Sequence, residues 1–356
     1  MPERLGAAFL AFTVTACTGI GPPTVPHDRI DYGGAINSSW KEQTLLNIVR
    51  MRYADVPIFL DIAQVVAGYS LQSTIGGSLT LGNFTSNLID RLTASGNAAA
   101  AGTYTDRPTV VYQPLTGVDF LKALMTPIPP SRVLFVVQSG YDPVLILPIM
   151  LDSINGINNE SAWLKRPADP RFGRLVELVR EAQRAGALQI RIEHPKEGAE
   201  SSVLVFGPSK DPDIAAKSRE LRNLLGLRSD IKEIQVYFGG YSGKDTEIDM
   251  TTRSMLQILQ QFAATVRVPE SDVAEGRAST GLVEEPRSGP VMRILVGDAA
   301  PKDASVAVQY DNRWFWIADT DIQSKATFGV VILLFSISDT GVKTPAPMIT
   351  IPAQAG

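Results

Sequence analysis

One cysteine stands in a chain of 356 residues, at position 17. With a single thiol there is no internal disulfide to staple the fold, so the structure must rest on a buried apolar core. The length leaves room for one large domain or two modest ones. Charge is nearly balanced, with 33 Lys and Arg against 37 Asp and Glu. No basic stripe or Lys/Arg run appears, so nucleic acid is not an expected partner.

The position of the cysteine says more than its number. Met1-Pro2-Glu3-Arg4 is followed by an apolar run over 5–16, too short to cross a bilayer as a helix and suited to a signal peptide. It ends Val14-Thr15-Ala16-Cys17, an aliphatic residue, two small ones and a cysteine, the pattern of the bacterial lipobox. Small residues let the chain enter a peptidase cleft extended, and the thiol accepts a diacylglycerol. Each buried methylene contributes roughly 0.8 kcal/mol, and two acyl chains suffice for stable anchoring. Cys17 is therefore the expected lipidation site, with residues 1–16 as signal peptide. Thr18, where an Asp would favour the inner membrane, points to the outer membrane and a periplasm-facing body. No later segment is an uninterrupted apolar run of about 18 residues. The most apolar stretch, 328–335, suits a buried helix.

Residues 17–38 contain Pro22, Pro23, Pro26 and several glycines, and are expected to form a flexible tether. Ser39-x-x-Glu42 has the form of a capping box, so a helix is expected to begin there. Over 58–81 the period changes to two. Ile58, Leu60 and Ile62 alternate, and then Val65, Tyr69, Leu71, Ile75 and Leu79 take the opposite parity. One long strand, or two broken near Gly68, is predicted. The polar and alanine-rich stretch 83–102 is expected to be a mobile excursion, with a return strand over 103–113. Helices are predicted around Val118–Leu124, 131–138, 144–154, 172–182, 214–225, 255–266 and 321–338, and strands over 188–193, 203–206, 234–238, 291–296, 305–310 and 314–318. Residues 270–289 suggest an exposed loop, and Asp311-Asn312 a hairpin turn. The order predicts an α+β fold with mixed or antiparallel sheets, packed helices and a long β-hairpin-like segment near the N-terminus. Beyond the tether, the expected divisions are 39–170, 171–343 and a Pro-rich tail, 344–356.

Side chains suited to catalysis are sparse. The only histidines are His27 and His194, and no metal-binding, Cys-x-x-Cys or nucleophile-elbow motif occurs. Gly239-Gly240-Tyr241-Ser242-Gly243-Lys244 has glycines spaced too closely for a Walker loop, and Asp245 follows the lysine. Asp319-Thr320-Asp321 lacks the later ligands of a calcium loop, and Asp321 suits a helix cap. Neither a cofactor nor a metal is expected. Glu247 and Asp249 can share a strand face, as acid/base chemistry would need. Tyr310, Trp314 and Trp316 form the densest aromatic cluster, a candidate contact for a partner protein or a glycan.

Four runs, Leu46-Asn47-Ile48-Val49-Arg50-Met51-Arg52-Tyr53, Tyr104-Thr105-Asp106-Arg107-Pro108-Thr109, Trp314-Phe315-Trp316-Ile317-Ala318-Asp319 and Ser324-Lys325-Ala326-Thr327-Phe328, resemble a group of bacterial envelope lipoproteins with no established activity. The resemblance implies location and a single-family architecture, and carries over no functional residue. The leading expectation is a non-catalytic scaffold or assembly subunit, held to the membrane by lipid and bound to a protein partner or to copies of itself. One alternative is an oligomeric outer-membrane barrel built from residues 65–113. Another is a glycan- or peptidoglycan-acting enzyme using carboxylates.

Overall fold

The computed structural model describes residues 25–66, 69–80, 95–106, 109–162, 164–193, 201–281 and 292–337. Cys17, His194 and the Pro-rich tail lie outside these, as does the side chain of His27. The chain divides into two units, Met1–Ile36 with Leu60–Pro114, and Asn37–Phe59 with Leu115–Gly356.

Helix α1 runs Val25–Arg52, so residues 25–38 are helical where a tether was expected, and Ser39 lies inside the helix rather than capping it. Pro26 falls in the first turn, where its missing N–H goes unneeded, and Asp28 there complements the helix dipole. Gly33 and Gly34 each cost about 1 kcal/mol against alanine. They are tolerated because Leu45, Ile48 and Val49, all 0% exposed, fix the far end of the helix. Extension from a fixed end gains one hydrogen bond per residue.

The first unit also holds β1 (Leu60–Val66), β2 (Tyr69–Thr80), β3 (Ser95–Asp106) and β4 (Thr109–Pro114). β1 pairs antiparallel with β4, and β2 with β3. The excursion expected over 83–102 is thus strand from Ser95 onward.

The second unit continues with α2 (Val118–Met125), α3 (Pro130–Gln138), α4 (Pro143–Met150), β5 (Leu151–Ile154), β6 (Ile157–Asn158), α5 (Pro170–Arg184), β7 (Leu188–Glu193), β8 (Ser201–Phe206), α6 (Pro212–Leu224), β9 (Glu233–Phe238), β10 (Glu247–Thr252), α7 (Met255–Ala263), α8 (Glu270–Ala274), β11 (Leu295–Gly297), β12 (Ala304–Tyr310), β13 (Arg313–Ala318) and α9 (Ile322–Ile337). Three helices start alike. Asp142, Asp169 and Asp211 each accept a backbone N–H of the first turn, with a proline at the next position. Gly186 and Gly226, with φ of 71° and 68°, end α5 and α6 in the left-handed conformation.

Six strands form one mixed sheet in the order β6-β5-β10-β9-β8-β7. Only β9 and β10 run parallel; the other pairs are antiparallel. A three-stranded antiparallel sheet, β11-β13-β12, packs its Phe315 and Ile317 into the core with Phe328, Val331 and Leu334 of α9. The molecule is therefore α+β, with mixed and antiparallel sheets and the expected long hairpin.

Two further expectations are corrected. The helix expected over 144–154 stops at Met150 and the chain becomes strand β5, because the Arg253 N–H and guanidinium claim the Met150, Pro148 and Ile149 carbonyls. The loop expected over 270–289 contains α8, whose Asp272 is 1% exposed. β5 and β6, which precede residue 170, complete the sheet made by β7 to β10.

Candidate assembly interface

Within the first unit, β1 and β2 form one arm of a ribbon and β3 and β4 the other. From Gln64↔Val111 to Val66↔Thr109, and again from Tyr69↔Asp106 to Thr80↔Ser95, partners keep the same register. The residues between these stretches, 67–68 and 107–108, lie outside the described ones, and the two ladders are two two-stranded antiparallel sheets whose partners follow one register series.

The register changes once, between Ile62 and Gln64. There Ala63 is the extra residue of a β-bulge, two residues on one strand facing one on the other. This accounts for the switch of parity in the sequence. Leu60 and Ile62, opposite Pro114 and Tyr112, come onto the same face as Val65 opposite Val110. That face continues through Tyr69, Leu71, Ser73, Ile75, Gly77 and Leu79 on β2, opposite Asp106, Tyr104, Gly102, Ala100, Ala98 and Gly96 on β3. The other face carries Ser70, Gln72, Thr74, Gly76, Ser78 and Thr80, opposite Thr105, Thr103, Ala101, Ala99, Asn97 and Ser95. One face is apolar or small, the other small and polar. Neither holds a charge between Ser70 and Thr80 or between Ser95 and Thr105. Every residue of β4 is exposed, including Val110, Val111 and Tyr112. Among the described residues no third strand joins β2 and β3.

The aromatic cluster divides. Tyr310 pairs with Arg313, and Trp314 with Gln309 across the hairpin, so Tyr310 is on the face opposite Trp314 and Trp316. Its ring centroid is 5.1 Å from that of Tyr53, and its hydroxyl donates to Asp55 at 3.3 Å. Burial and then the Asp55 carboxylate raise its pKa above the ordinary phenolic value. Trp314 and Trp316 are half-buried on the outer face, where the Trp316 ring lies so close over Gly297 that a Cβ there would meet Cη2 at 3.2 Å. The hairpin turn is as expected, with Asp311 and Asn312 at φ of 47° and 61°.

Glu247 and Asp249 do share a face of β10, and a neighbouring loop already occupies them. The Ser242 N–H donates to Asp249 Oδ2 at 2.6 Å and its hydroxyl to Glu247 Oε1 at 2.9 Å, while Lys244 Nζ lies 3.0 Å from Glu247 Oε1. These carboxylates fasten the glycine-rich loop, which makes it a poor cradle for phosphate. Asp321 caps α9, accepting the Ser324 N–H at 3.0 Å and the Ser324 hydroxyl at 2.8 Å, and Asp319 holds Lys325 Nζ at 2.6 Å. Among the described residues no group of three or more His, Cys, Asp or Glu is placed to hold a metal, and no helix is long and apolar enough to cross a membrane.

Two buried charged centres went unseen in the sequence. Arg253, pushed down to about 10 by burial, donates to the Pro148, Ile149 and Glu160 carbonyls. Asp272 accepts from Tyr53, Arg277, Arg313 and Ser271. A carboxylate that ties remote segments looks, in sequence, like any surface carboxylate. No family model, curated protein or solved structure matches the chain.

Proposed function

We propose that this chain is a lipid-anchored, non-catalytic subunit of the bacterial outer membrane, facing the periplasm, that assembles with copies of itself through its ribbon. The observation that carries this is the ribbon's shape: twelve consecutive rungs between β2 and β3, an apolar face, and no third strand joining β2 and β3 among the described residues. A two-stranded sheet is marginal alone in water, and an open edge is a template for another strand. β2 and β3 are each twelve residues long, and neither carries a charge between Ser70 and Thr80 or between Ser95 and Thr105. Head-to-tail pairing of identical ribbons satisfies both edges at once, and such heterologous contacts form a ring where the rotation between neighbours closes. The Cys17 pattern supplies the anchor. Carboxylates already bonded to Ser242 and Lys244 favour a binding role over hydrolysis.

The test is the mass of the detergent-extracted protein. The second unit, Asn37–Phe59 with Leu115–Gly356, is compact in itself, so the ribbon can be shortened without cutting into it. Val66 and Thr109 are ladder partners, and joining them through Asn-Gly in place of 67–108 keeps a hairpin turn. The extracted protein, without residues 1–16, is expected as a multiple of a mass below the 38.4 kDa of the whole sequence, and the shortened chain as a monomer. A monomeric full chain, or a shortened chain that still assembles, would overturn the proposal.

A further inference from the structure

We infer that the stretch of ribbon from Ser70 to Thr80 and from Ser95 to Thr105 spans a lipid bilayer, its apolar face against acyl chains and its polar face lining a water-filled passage. The inference rests on self-assembly, because a lone hairpin in hydrocarbon leaves its outer backbone groups unsatisfied and only a closed set of strands pairs them all.

Length is the first support. Eleven residues cover ten intervals of about 3.4 Å, or about 34 Å along the strand, and at a tilt of ~40° this gives about 26 Å of membrane normal, against an apolar band of ≈ 25 Å for such barrels. Charge is the second. The neutral stretch has Asp106 at one end, and in the sequence the next charges after Thr80 are Asp90 and Arg91. A strip docking onto another soluble protein would carry charges at its rim; here both faces are neutral for eleven rungs. Composition by face is the third. Leu71, Ile75, Leu79, Tyr104, Ala100 and Ala98 share one side with Ser73 and three glycines, and the other holds Ser, Thr, Asn, Gln, Ala and Gly, a dyad pattern of lipid-facing and lumen-facing positions. Aromatic residues at the membrane interface are invisible in the linear sequence. The register places Tyr69 and Tyr104 on the apolar face, two rungs apart at the end where Asp106 lies, where Tyr sits in membrane barrels.

Single cysteines in a Cys17→Ser background test this. Ile75→Cys, Leu79→Cys and Ala100→Cys sample the apolar face, and Thr74→Cys, Ser78→Cys and Ala101→Cys the polar face. Each full-length variant is labelled with a polarity-sensitive fluorophore and reconstituted into phosphatidylethanolamine–phosphatidylglycerol vesicles. The first three labels are expected to shift to the blue and be quenched severalfold more by brominated lipid than by aqueous iodide, with the reverse for the second three. Six labels behaving alike, or the opposite alternation, would overturn the inference. Failure of self-assembly is separately visible as the mass of a single chain for the same material after extraction.

Discussion

Replacing Asp272 with alanine removes the carboxylate that joins the end of α1, helix α8 and strand β13. Its side chain is 2% exposed. Oδ2 accepts from the Tyr53 hydroxyl at 2.7 Å and lies 3.3 Å from Arg313 Nη1; Oδ1 is 2.7 Å from Arg277 Nη2 and 3.4 Å from Ser271 Oγ. Breaking a buried ion pair by deleting one partner costs about 3–5 kcal/mol. Here the low end applies, because Arg277 is 44% exposed and keeps Glu275 at 2.9 Å, so one freed cation turns to water. The expected loss for Asp272→Ala is about 3 kcal/mol, and about 1 kcal/mol for Tyr53→Phe, which removes one hydrogen bond. In the Asp272→Ala background Tyr53→Phe should cost almost nothing, the signature of a shared interaction. Urea unfolding of the full chain in detergent, followed by tryptophan fluorescence, reads all four proteins, since Trp314 and Trp316 lie on β13 itself. A loss for Asp272→Ala no greater than the ~1 kcal/mol of a surface pair, or an unchanged cost of Tyr53→Phe in the two backgrounds, would refute the shared role.

Asp321 is held below the usual carboxylate range, first by the Ser324 N–H, with the Ser324 hydroxyl and Arg293 adding to it. Its contribution to stability is therefore present above the unfolded value near 3.8 and fades as pH falls through the lower folded value. Asp321→Ala should cost about 1 kcal/mol at neutral pH and much less in acid, as read from urea midpoints across pH 2–7; a pH-independent difference would contradict it. Gly281→Ala places a Cβ 2.7 Å from the Ala264 carbonyl oxygen and 2.6 Å from Arg52 Nη2. The arginine tip can swing aside and the carbonyl cannot, so a loss of about 1–3 kcal/mol is expected, with an unchanged midpoint as the refuting result. Cys17→Ser should abolish incorporation of labelled fatty acid while the protein stays in high-salt-washed membranes through its ribbon. Adding the 67–108 replacement should then release it to the soluble fraction, and retention of that doubly altered chain would show a third attachment.

Much of the architecture is visible in the sequence where a local signal is strong. The Asp311-Asn312 turn, the cap at Asp321 and the glycines at 186 and 226 each mark an element end through their own backbone chemistry. What escaped was decided by neighbours. Ser95 to Gly102, rich in Ala, Gly and Asn, has low strand preference, and pairing with β2 supplies what propensity does not. Leu151–Ile154 continues the apolar run of α4, and a short apolar run does not distinguish helix from strand. Residues 25–38 look like a tether because glycine and proline weaken a helix, yet a helix fixed at its far end extends through them. Of the candidate site residues, Tyr310 was grouped with Trp314 and Trp316 by proximity in sequence, and the hairpin pairing separates them onto two faces. The change of parity after Ile62 was legible; that a bulge at Ala63 turns it into one continuous face needed the register.

Particle images of the full chain extracted in detergent test ribbon-driven assembly most directly. Head-to-tail pairing of ribbons predicts rings with rotational symmetry, which disappear when 67–108 is replaced by Asn-Gly. Particles of a single chain across detergents, or rings that persist without the ribbon, would contradict it.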